Sequence, residues 1–399
     1  MSITKHRVSV AIVLLFVCTV FILPVGAQDF GMTLPEPTEL QVGYRLYAVV
    51  DESREEIFTE LEDDVRTFPV AIYYPASPTA DAVPAPYTTE SENMAYNTAL
   101  MIPPIVFDSI KGHLFVDAPL ASRAGGYPVL MFSPGFGAPI RFYTALLTEL
   151  ASQGFIIAVV DHPYSQTVSL FPDDSVVTAN KIGSDLASSE GLDRVLDVWV
   201  KDTQYALDYL SELNTADSIL AGAFDLAHVG AFGHSFGGAT SANVSVIDDR
   251  VLASLNMDGT LFGDAAQGVS KPFMVMSAPF VSVTDEDLNA IGMTREMLEE
   301  VIAEYTNTNA GGLSSSEAPY HLVIEGTLHN TYSIDIALLR NLLPEVITPE
   351  FVGTIDGSRA NEVIVAYTVA FFNKHLLGEA SPLLDGESED YPEVKFVTD

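Results

Sequence analysis

Cysteine is almost absent from this sequence. The only one among 399 residues, Cys18, lies inside an apolar run near the start of the chain. If that run is removed, the remaining chain has no thiol, and it can form no disulfide, no cysteine metal site and no cysteine nucleophile. Any nucleophile must therefore come from another residue type.

Basic residues are also scarce. The chain has 18 Lys and Arg against 54 Asp and Glu, which gives a formal net charge of −36. Nucleic acids and anionic membrane surfaces attract basic proteins, so this balance argues against both as partners. A hydrated acidic surface accounts for the charge without assigning it a function. Hydrophobic residues make up 48% of the chain, which is enough for a sizeable core.

The first 27 residues predict a signal peptide. Lys5 and Arg7 precede the apolar run at 8–25, and small residues follow it before a predicted cleavage site at Gln28. The run is also long enough to span a bilayer, so an uncleaved membrane anchor is the alternative. We expect residues 28–399 to form a secreted or periplasmic domain.

From residue 127 onward, short apolar runs alternate with amphipathic ones. This order predicts a mostly parallel sheet with helices on both faces, and one α/β domain over residues 28–399. The acidic residues 51–64 predict an exposed hairpin loop. The predicted strands are 41–50, 67–74, 127–133, 155–161, 227–233, 251–257, 271–277 and 321–325, and the main predicted helices are 141–152, 192–213 and 361–377.

The segment AFGHSFGGAT, residues 231–240, contains the pattern G-x-S-x-G. Chance produces that pattern roughly once in seven to ten chains of this length, so alone it is weak evidence. Here it follows a predicted strand and opens a predicted helix, which is the context of a nucleophile elbow. Ser235 is then either an exposed nucleophile or a small residue where a strand gives way to a helix. A nucleophilic serine needs a base and an orienting acid.

Three histidines follow Ser235 in the chain. His329 lies in the loop TLHNTYS, after the strand at 321–325, and thus at the carboxyl edge of the sheet where reactive groups gather. We therefore predict that His329 is the base. His321 begins the same strand, at the opposite edge, and His375 lies in the final helix, where a surface or helix-terminus role is expected.

Two histidines outside this group also lie near strand ends. His234 is adjacent to Ser235, and it is expected to point away from the partner of that serine and to pack or hydrogen-bond within the loop. His162 ends the strand at 155–161 and is a candidate to line the site.

The acid has two candidate locations at the same sheet edge. Asp258 ends the apolar strand at 251–257 and precedes a glycine, where it has no ordinary structural role. Asp285 and Asp287 lie after the next strand, at the start of a solvated amphipathic helix where Thr284 or Asp285 serves as an N-cap. The pattern favours Asp258, with Asp285 or Asp287 as the alternative.

Two backbone amides are needed to stabilise the oxyanion that an ester carbonyl would form. The residue after the nucleophile supplies one, which predicts the amide of Phe236. The other donor comes from the loop after an early strand, which is SPGFGAP here and predicts the amide of Phe136.

At these residues the sequence resembles the platelet-activating factor acetylhydrolase group of α/β-hydrolases, including its bacterial esterase relatives. The resemblance rests on GHSFGGAT, FSPGFGAP, MDG after the next strand, and GTLHNTYS, and it covers residues 67–377. It implies an α/β-hydrolase fold and a calcium-independent serine esterase that removes short or oxidised acyl chains from phospholipids. It also implies that the acid follows the strand after the nucleophile's strand, which favours Asp258.

Two features depart from that group and bear on the substrate. Pro134 stands in the oxyanion loop where the animal enzymes have a histidine, and residues 280–320 form a long stretch between the last two predicted strands. The pattern of 280–320 predicts a helical flap and a loop rich in Gly and Ser. It is either a lid over an acyl pocket or an addition to the surface.

Together these patterns predict a secreted serine ester hydrolase. Its substrates are expected to be small-molecule or lipid esters, either short-chain acyl esters or phospholipid sn-2 acetyl-type esters, with transient contact to a lipid interface. A cutinase- or lipase-like hydrolase of polyesters or triglycerides is the alternative within enzymes, and a non-catalytic ligand-binding protein is the alternative outside them. No metal or cofactor is expected, because the acidic stretches lack an EF-hand pattern.

Overall fold

The computed structural model describes residues 31–179, 188–290 and 292–397. The predicted signal peptide, its cleavage site and Cys18 lie outside these residues. Within the described ranges, no helix combines the length and apolar composition that crossing a membrane requires.

A ten-stranded sheet runs through the domain. Its spatial order is β14-β13-β12-β11-β10-β6-β7-β3-β2-β5. The six strands from β13 to β7 run parallel, while β14 and β3 pair antiparallel with their neighbours. The strands are β1 (Met32–Thr33), β2 (Gln41–Glu55), β3 (Val65–Ala76), β4 (Ile110–Lys111), β5 (Leu114–Val116), β6 (Tyr127–Ser133), β7 (Ile156–Val160), β8 (Val168–Leu170), β9 (Val176–Thr178), β10 (Phe224–His234), β11 (Val251–Met257), β12 (Phe273–Ser277), β13 (Pro319–Ile324) and β14 (Val394–Phe396).

Helices connect the parallel strands and cover both faces of the sheet. They are α1 (Glu90–Leu100), α2 (Pro104–Asp108), α3 (Thr144–Ser152), α4 (Ser189–Ala216), α5 (Phe236–Ile247), α6 (Asp285–Ala290), α7 (Arg295–Ser314), α8 (Ile334–Leu339), α9 (Pro349–Val352) and α10 (Gly357–Leu377). Short 3-10 segments at Ile140–Tyr143 and His329–Tyr332 lie beside the site described below.

The central strands are apolar throughout because both of their faces are buried. Along β6, Val129 and Met131 belong to the core beneath α4, while Leu130 and Phe132 belong to the core beneath α3 and α10. All four side chains are at most 1% exposed. Burial of each such side chain contributes about 1.5–3 kcal/mol relative to an exposed one. The predicted α/β-hydrolase fold, with a mostly parallel sheet covered on both faces, is confirmed.

The prediction of an exposed loop at 51–64 is wrong for residues 51–56. Residues 51–64 were expected to be an exposed hairpin, but β2 continues to Glu55, and Asp51 and Glu56 are 2% and 5% exposed. These acids are buried because they pair with arginines: Asp51 accepts from Arg54 Nε and Glu56 accepts from Arg66 Nη1. The acidic composition of this segment did not reveal that two of its carboxylates belong to a buried ionic cluster.

Asp202, in α4, is the centre of that cluster. Its carboxylate accepts two hydrogen bonds from Arg66, at 2.7 and 3.1 Å, one from Arg54 at 2.8 Å and one from His162 Nδ1 at 3.0 Å. Burial alone would raise the pKa of Asp202, but the Arg66 charge and the His162 bond hold that pKa well below its ordinary value. Burial lowers the pKa of His162 to about 4, so this histidine is neutral near pH 7.

Asp202→Ala is expected to lower the free energy of unfolding by about 3–5 kcal/mol, because it removes a buried partner from Arg66 and His162. Urea denaturation followed by circular dichroism measures this loss. Asp197→Ala is the matched control, because Asp197 lies on the exposed side of the same helix and forms an ion pair with exposed Lys201. Equal losses in the two variants would contradict the role assigned to the cluster.

Candidate functional site

Ser235 lies on a strained turn between β10 and α5. Its backbone has φ 56° and ψ −121°, a combination that few residues other than glycine adopt. The flanking glycines are required because the chain is crowded: a Cβ on Gly237 would overlap the carbonyl oxygens of Ser133 and Pro134, and one on Gly233 would overlap Gly237. The strand–turn–helix context predicted for the motif is therefore present, with the helix beginning at Phe236.

His329 reaches Ser235 from the loop after β13. Its Nε2 lies 3.0 Å from Ser235 Oγ, and its Nδ1 lies 2.7 Å from Asp258 Oδ2. With the imidazole proton on Nδ1, the ring donates to the carboxylate and leaves Nε2 free to accept from the serine hydroxyl. This is the geometry that a serine nucleophile, its base and an orienting acid require.

Asp258 follows β11, and its backbone conformation and two neighbouring residues fix the position of its carboxylate. Its own φ is 54°, its Oδ1 accepts from the amide of Ala278 at 2.9 Å, and the hydroxyl of Tyr305 lies 3.3 Å from the same oxygen. Burial and then the charge of Asp258 raise the pKa of Tyr305 well above its ordinary value, so that the phenol keeps its proton. Asp258 is thus anchored with one oxygen directed at His329.

The alternative acids occupy other positions. Asp285 pairs with Arg295 at 2.7 Å, and both side chains are largely exposed. Asp287 Oδ2 accepts from the amide of Thr284, whose hydroxyl accepts in turn from the amide of Asp287, which is a helix cap. The predicted cap role of Thr284 is confirmed, and neither carboxylate contacts His329 in the described residues.

The other histidines lie outside the Ser235–His329–Asp258 series. His321 contacts Ser277 Oγ at 2.9 Å, and His375 contacts the Tyr320 hydroxyl at 3.2 Å, where burial lowers the His375 pKa to about 4. His162, a candidate to line the site, is instead fully buried in the Asp202 cluster.

His234 corrects one expectation. It was expected to point away from the partner of Ser235, but its ring centroid lies 4.6 Å from that of His329. It does make the predicted loop contact, since its Nδ1 lies 2.8 Å from the hydroxyl of Tyr143. Burial, followed by the neighbouring His329, holds the pKa of His234 well below its ordinary value, so this ring is neutral.

Phe136 lies in the loop after β6, and Phe236 is the first residue of α5. Among the backbone hydrogen bonds of the described residues, none uses the amide of either residue, while Gly238 and Ala239 donate to the Ser235 carbonyl. The Phe136 ring is stacked on Trp199 at 6.1 Å, and Trp199 is stacked on His162 at 4.0 Å. The buried cluster of Asp202 therefore supports the loop that carries Phe136.

A narrow apolar cavity of ≈ 70 Å³ opens beside Ser235. Its walls come from the loop at 135–138, from the segment containing α1 and α2, and from the segment that follows His329. The apolar side chains that line it include Leu100, Val106, Phe107, Leu339, Leu343 and Phe351.

The described residues of the insertion at 280–320 do not line this cavity. Its main helix, α7, packs against β12, β13 and the 3-10 segment Gly263–Gln267, and it contributes Tyr305 behind Asp258. The predicted helical flap is present, and it lies between β12 and β13 in the chain. The sheet has one further strand after these two, β14, which pairs antiparallel with β13. The walls of the cavity come from other segments.

Two site features were missed from the sequence. Tyr143 lies in the predicted helix at 141–152 and Tyr305 in the predicted flap at 280–320, but no role at the site was predicted for either residue. The Tyr143 hydroxyl bonds to the residue before the serine and to the loop that carries Phe136. No local signal marks either hydroxyl, because each acts only after distant segments have packed together.

The fold and the geometry at Ser235 define an α/β-hydrolase with a serine, a histidine and an aspartate in hydrogen-bonded series. The family model described as platelet-activating factor acetylhydrolase, isoform II, matches residues 57–183 and 198–383. The chain belongs to this family.

Individual relatives agree with that assignment. The chain is 29% identical over 282 residues to a probable 1-alkyl-2-acetylglycerophosphocholine esterase of Arthroderma benhamiae, covering 68% of this chain and 66% of that protein. It is 23% identical over 325 residues to the platelet-activating factor acetylhydrolase of Cavia porcellus, covering 74% and 69%. The match thus spans about two thirds of each relative's length.

A solved structure extends the comparison. A ferulic acid esterase from Streptomyces cinnamoneus superposes with a TM-score of 0.73 at 28% identity, covering 92% of this chain and 100% of that one. The α/β-hydrolase architecture is therefore shared over nearly the whole chain.

Asp258→Asn is expected to reduce kcat for an ester substrate by about 10³–10⁴-fold, because the amide would favour the wrong imidazole tautomer of His329. Asp285→Asn, at the alternative acid, is the matched control and should leave kcat unchanged. Steady-state kinetics with p-nitrophenyl acetate compares the two variants. A large loss at Asp285 with none at Asp258 would overturn the assignment.

Proposed function

We propose that this chain is an exported serine ester hydrolase that cleaves carboxylic esters through an acyl-enzyme. The observation that carries the proposal is the hydrogen-bonded series from Ser235 Oγ through His329 to Asp258, at 3.0 and 2.7 Å, mounted on a strained turn. Such strain persists where the surrounding structure enforces it, and it is concentrated at active sites.

In the proposed acylation step, the serine, the histidine, the aspartate and the two backbone amides have separate roles. Ser235 Oγ attacks the ester carbonyl while His329 Nε2 takes its proton. Asp258 holds the proton on His329 Nδ1 and stabilises the imidazolium that forms. The carbonyl oxygen becomes an oxyanion, and the amides of Phe136 and Phe236 are placed to donate to it, with the N-terminus of α5 adding a favourable dipole. His329 then protonates the leaving alcohol.

Deacylation repeats these steps with water as the nucleophile in place of the serine hydroxyl. His329 takes a proton from the attacking water, and a second oxyanion forms in the same place. Its collapse releases the carboxylic acid and returns the proton to Ser235. Every proton in the cycle passes between Ser235, His329, the alcohol and water, so the scheme needs no further group.

The cavity supports an aliphatic acyl group as the part of the substrate that binds beside Ser235. Its polar lining residues are Asn330, Ser333 and the residues of the site itself, and the remainder of its walls is almost entirely apolar. A cavity with so few polar groups favours an aliphatic chain over a hydroxylated ring such as ferulate, because an unpaired buried polar group costs about 1–3 kcal/mol. We therefore propose short-chain acyl esters, including phospholipid sn-2 acetyl-type esters, over hydroxylated aromatic ones.

Transient contact with a lipid interface is part of this proposal. Met94, Met101 and Ile105 are 63%, 41% and 50% exposed, and they lie on α1, at its end and on α2. The same segment forms one wall of the cavity. An apolar rim beside the cavity would admit an ester from a neutral lipid surface while the strong negative charge discourages binding to anionic ones.

Hydrolysis of p-nitrophenyl esters from C2 to C12 tests the function and the acyl preference. The wild type is expected to be most active on the short esters, and Ser235→Ala is expected to lose about 10³-fold or more. N-terminal sequencing of the exported protein should begin at Gln28. An inactive wild type, or an undiminished rate in Ser235→Ala, would refute the proposed chemistry, and a maximum at C12 would favour the lipase-like alternative.

A further inference from the structure

The hydroxyl of Tyr143 joins three segments of the site. The amide of Gly135, in the loop that carries Phe136, donates to it at 3.0 Å. The hydroxyl of Ser333, four residues after His329, donates to it at 3.2 Å. The same oxygen lies 2.8 Å from Nδ1 of His234, the residue before the nucleophile.

The proton count at this oxygen fixes the direction of the third bond. A phenol has one proton and two lone pairs, and here both lone pairs accept, from Gly135 and Ser333. The single proton is therefore donated to His234 Nδ1, and the proton of the neutral His234 must be on Nε2. Burial raises the pKa of Tyr143 to about 12, so the phenol keeps the proton that this arrangement needs.

The junction is tightly packed. Tyr143 is fully buried, and a Cβ placed on Gly135 would lie 3.1 Å from His234 Nδ1 and 3.2 Å from the Tyr143 hydroxyl. These are closer than ordinary carbon contacts, so the loop has little room to move relative to the serine turn. Loss of the hydroxyl would leave the Gly135 amide without its acceptor and His234 Nδ1 without its donor.

We propose that Tyr143 is a positioning residue that locks the Phe136 loop, the Ser235 turn and the His329 loop into one arrangement through its single hydroxyl. This inference rests on the proposed serine mechanism. The hydroxyl contacts none of the reacting atoms, and it acts by holding the amide donor of Phe136 at a fixed position relative to Ser235 Oγ. The same bond holds His234, whose neutral ring lies 4.6 Å from the ring of His329.

Tyr143→Phe tests the proposal because it removes only the hydroxyl. We expect kcat per active site to fall by about 10- to 100-fold, since small misplacement of oxyanion donors is costly, while KM for a short ester changes by less than about twofold. The affinity for a trifluoromethyl ketone, which forms a tetrahedral adduct on the serine, should fall in parallel with kcat/KM. Active sites are counted by titration with a fluorophosphonate, so that misfolded protein does not enter kcat.

Tyr367→Phe is the matched control. Tyr367 is also fully buried, but its hydroxyl bonds to no described residue, so its loss should leave kcat and ketone affinity unchanged. Ser333→Ala, which removes one of the three bonds, should reduce kcat by about 2- to 5-fold and carries the test if Tyr143→Phe does not fold.

Three outcomes are distinguishable. An active wild type with a Tyr143→Phe variant whose kcat and ketone affinity match those of Tyr367→Phe would overturn the positioning role. A change confined to KM would overturn it as well. An inactive wild type, or an active Ser235→Ala variant, would instead refute the proposed function on which the inference rests.

Discussion

The parallel hydrogen-bond ladder through β10, β11 and β12 is the constraint on which the site depends. The amide of Ser235 donates to the Met257 carbonyl at 2.8 Å, and the amide of Asp258 donates to the Met276 carbonyl at 2.7 Å. Each bond extends the pairing of adjacent strands by one residue past the regular sheet. The serine and the acid thus take their relative position from the register of the sheet, and the left-handed backbone at both residues turns their side chains towards His329.

On both sides of the sheet, the buried polar groups near the site either pair with an opposite charge or stay uncharged. Beneath the Phe136 loop, the charges of Asp202, Arg66 and Glu56 are buried but mutually paired. Nearer the serine, His234 is buried without charge, because burial and the adjacent His329 disfavour its protonated form. Formation of a buried charge is costly unless a partner is in place, and Asp258, 2.7 Å from His329, would be that partner for the imidazolium of the proposed mechanism.

The sequence was informative wherever a structural feature has a local cause in the chain. Near-continuous apolar strands, a glycine-flanked serine and a histidine just past a strand end are patterns with direct physical causes, and they predicted the fold and which residues meet. The predictions were wrong or silent where the cause was tertiary. The charged residues at 51–56 predicted a loop, because nothing in that segment indicates that Arg66 and Asp202 are part of the same ionic cluster. Tyr143 and Tyr305 gained their contacts only through the packing of the 3-10 segment Ile140–Tyr143 and of α7. The proximity of His234 to His329 depended on the distant loop that carries His329.

Much of the wall of the cavity beside Ser235 comes from the segment containing α1 and α2 and from the segment after His329, and neither segment supplies the serine or the acid. Under the proposed function, substitutions in those walls can change the size of the acyl group that binds without disturbing the ladder that positions Ser235 and Asp258. Such separation makes the scaffold permissive to diversification. A change in the lining of the cavity can therefore occur independently of any change in the residues that the register of the sheet holds together.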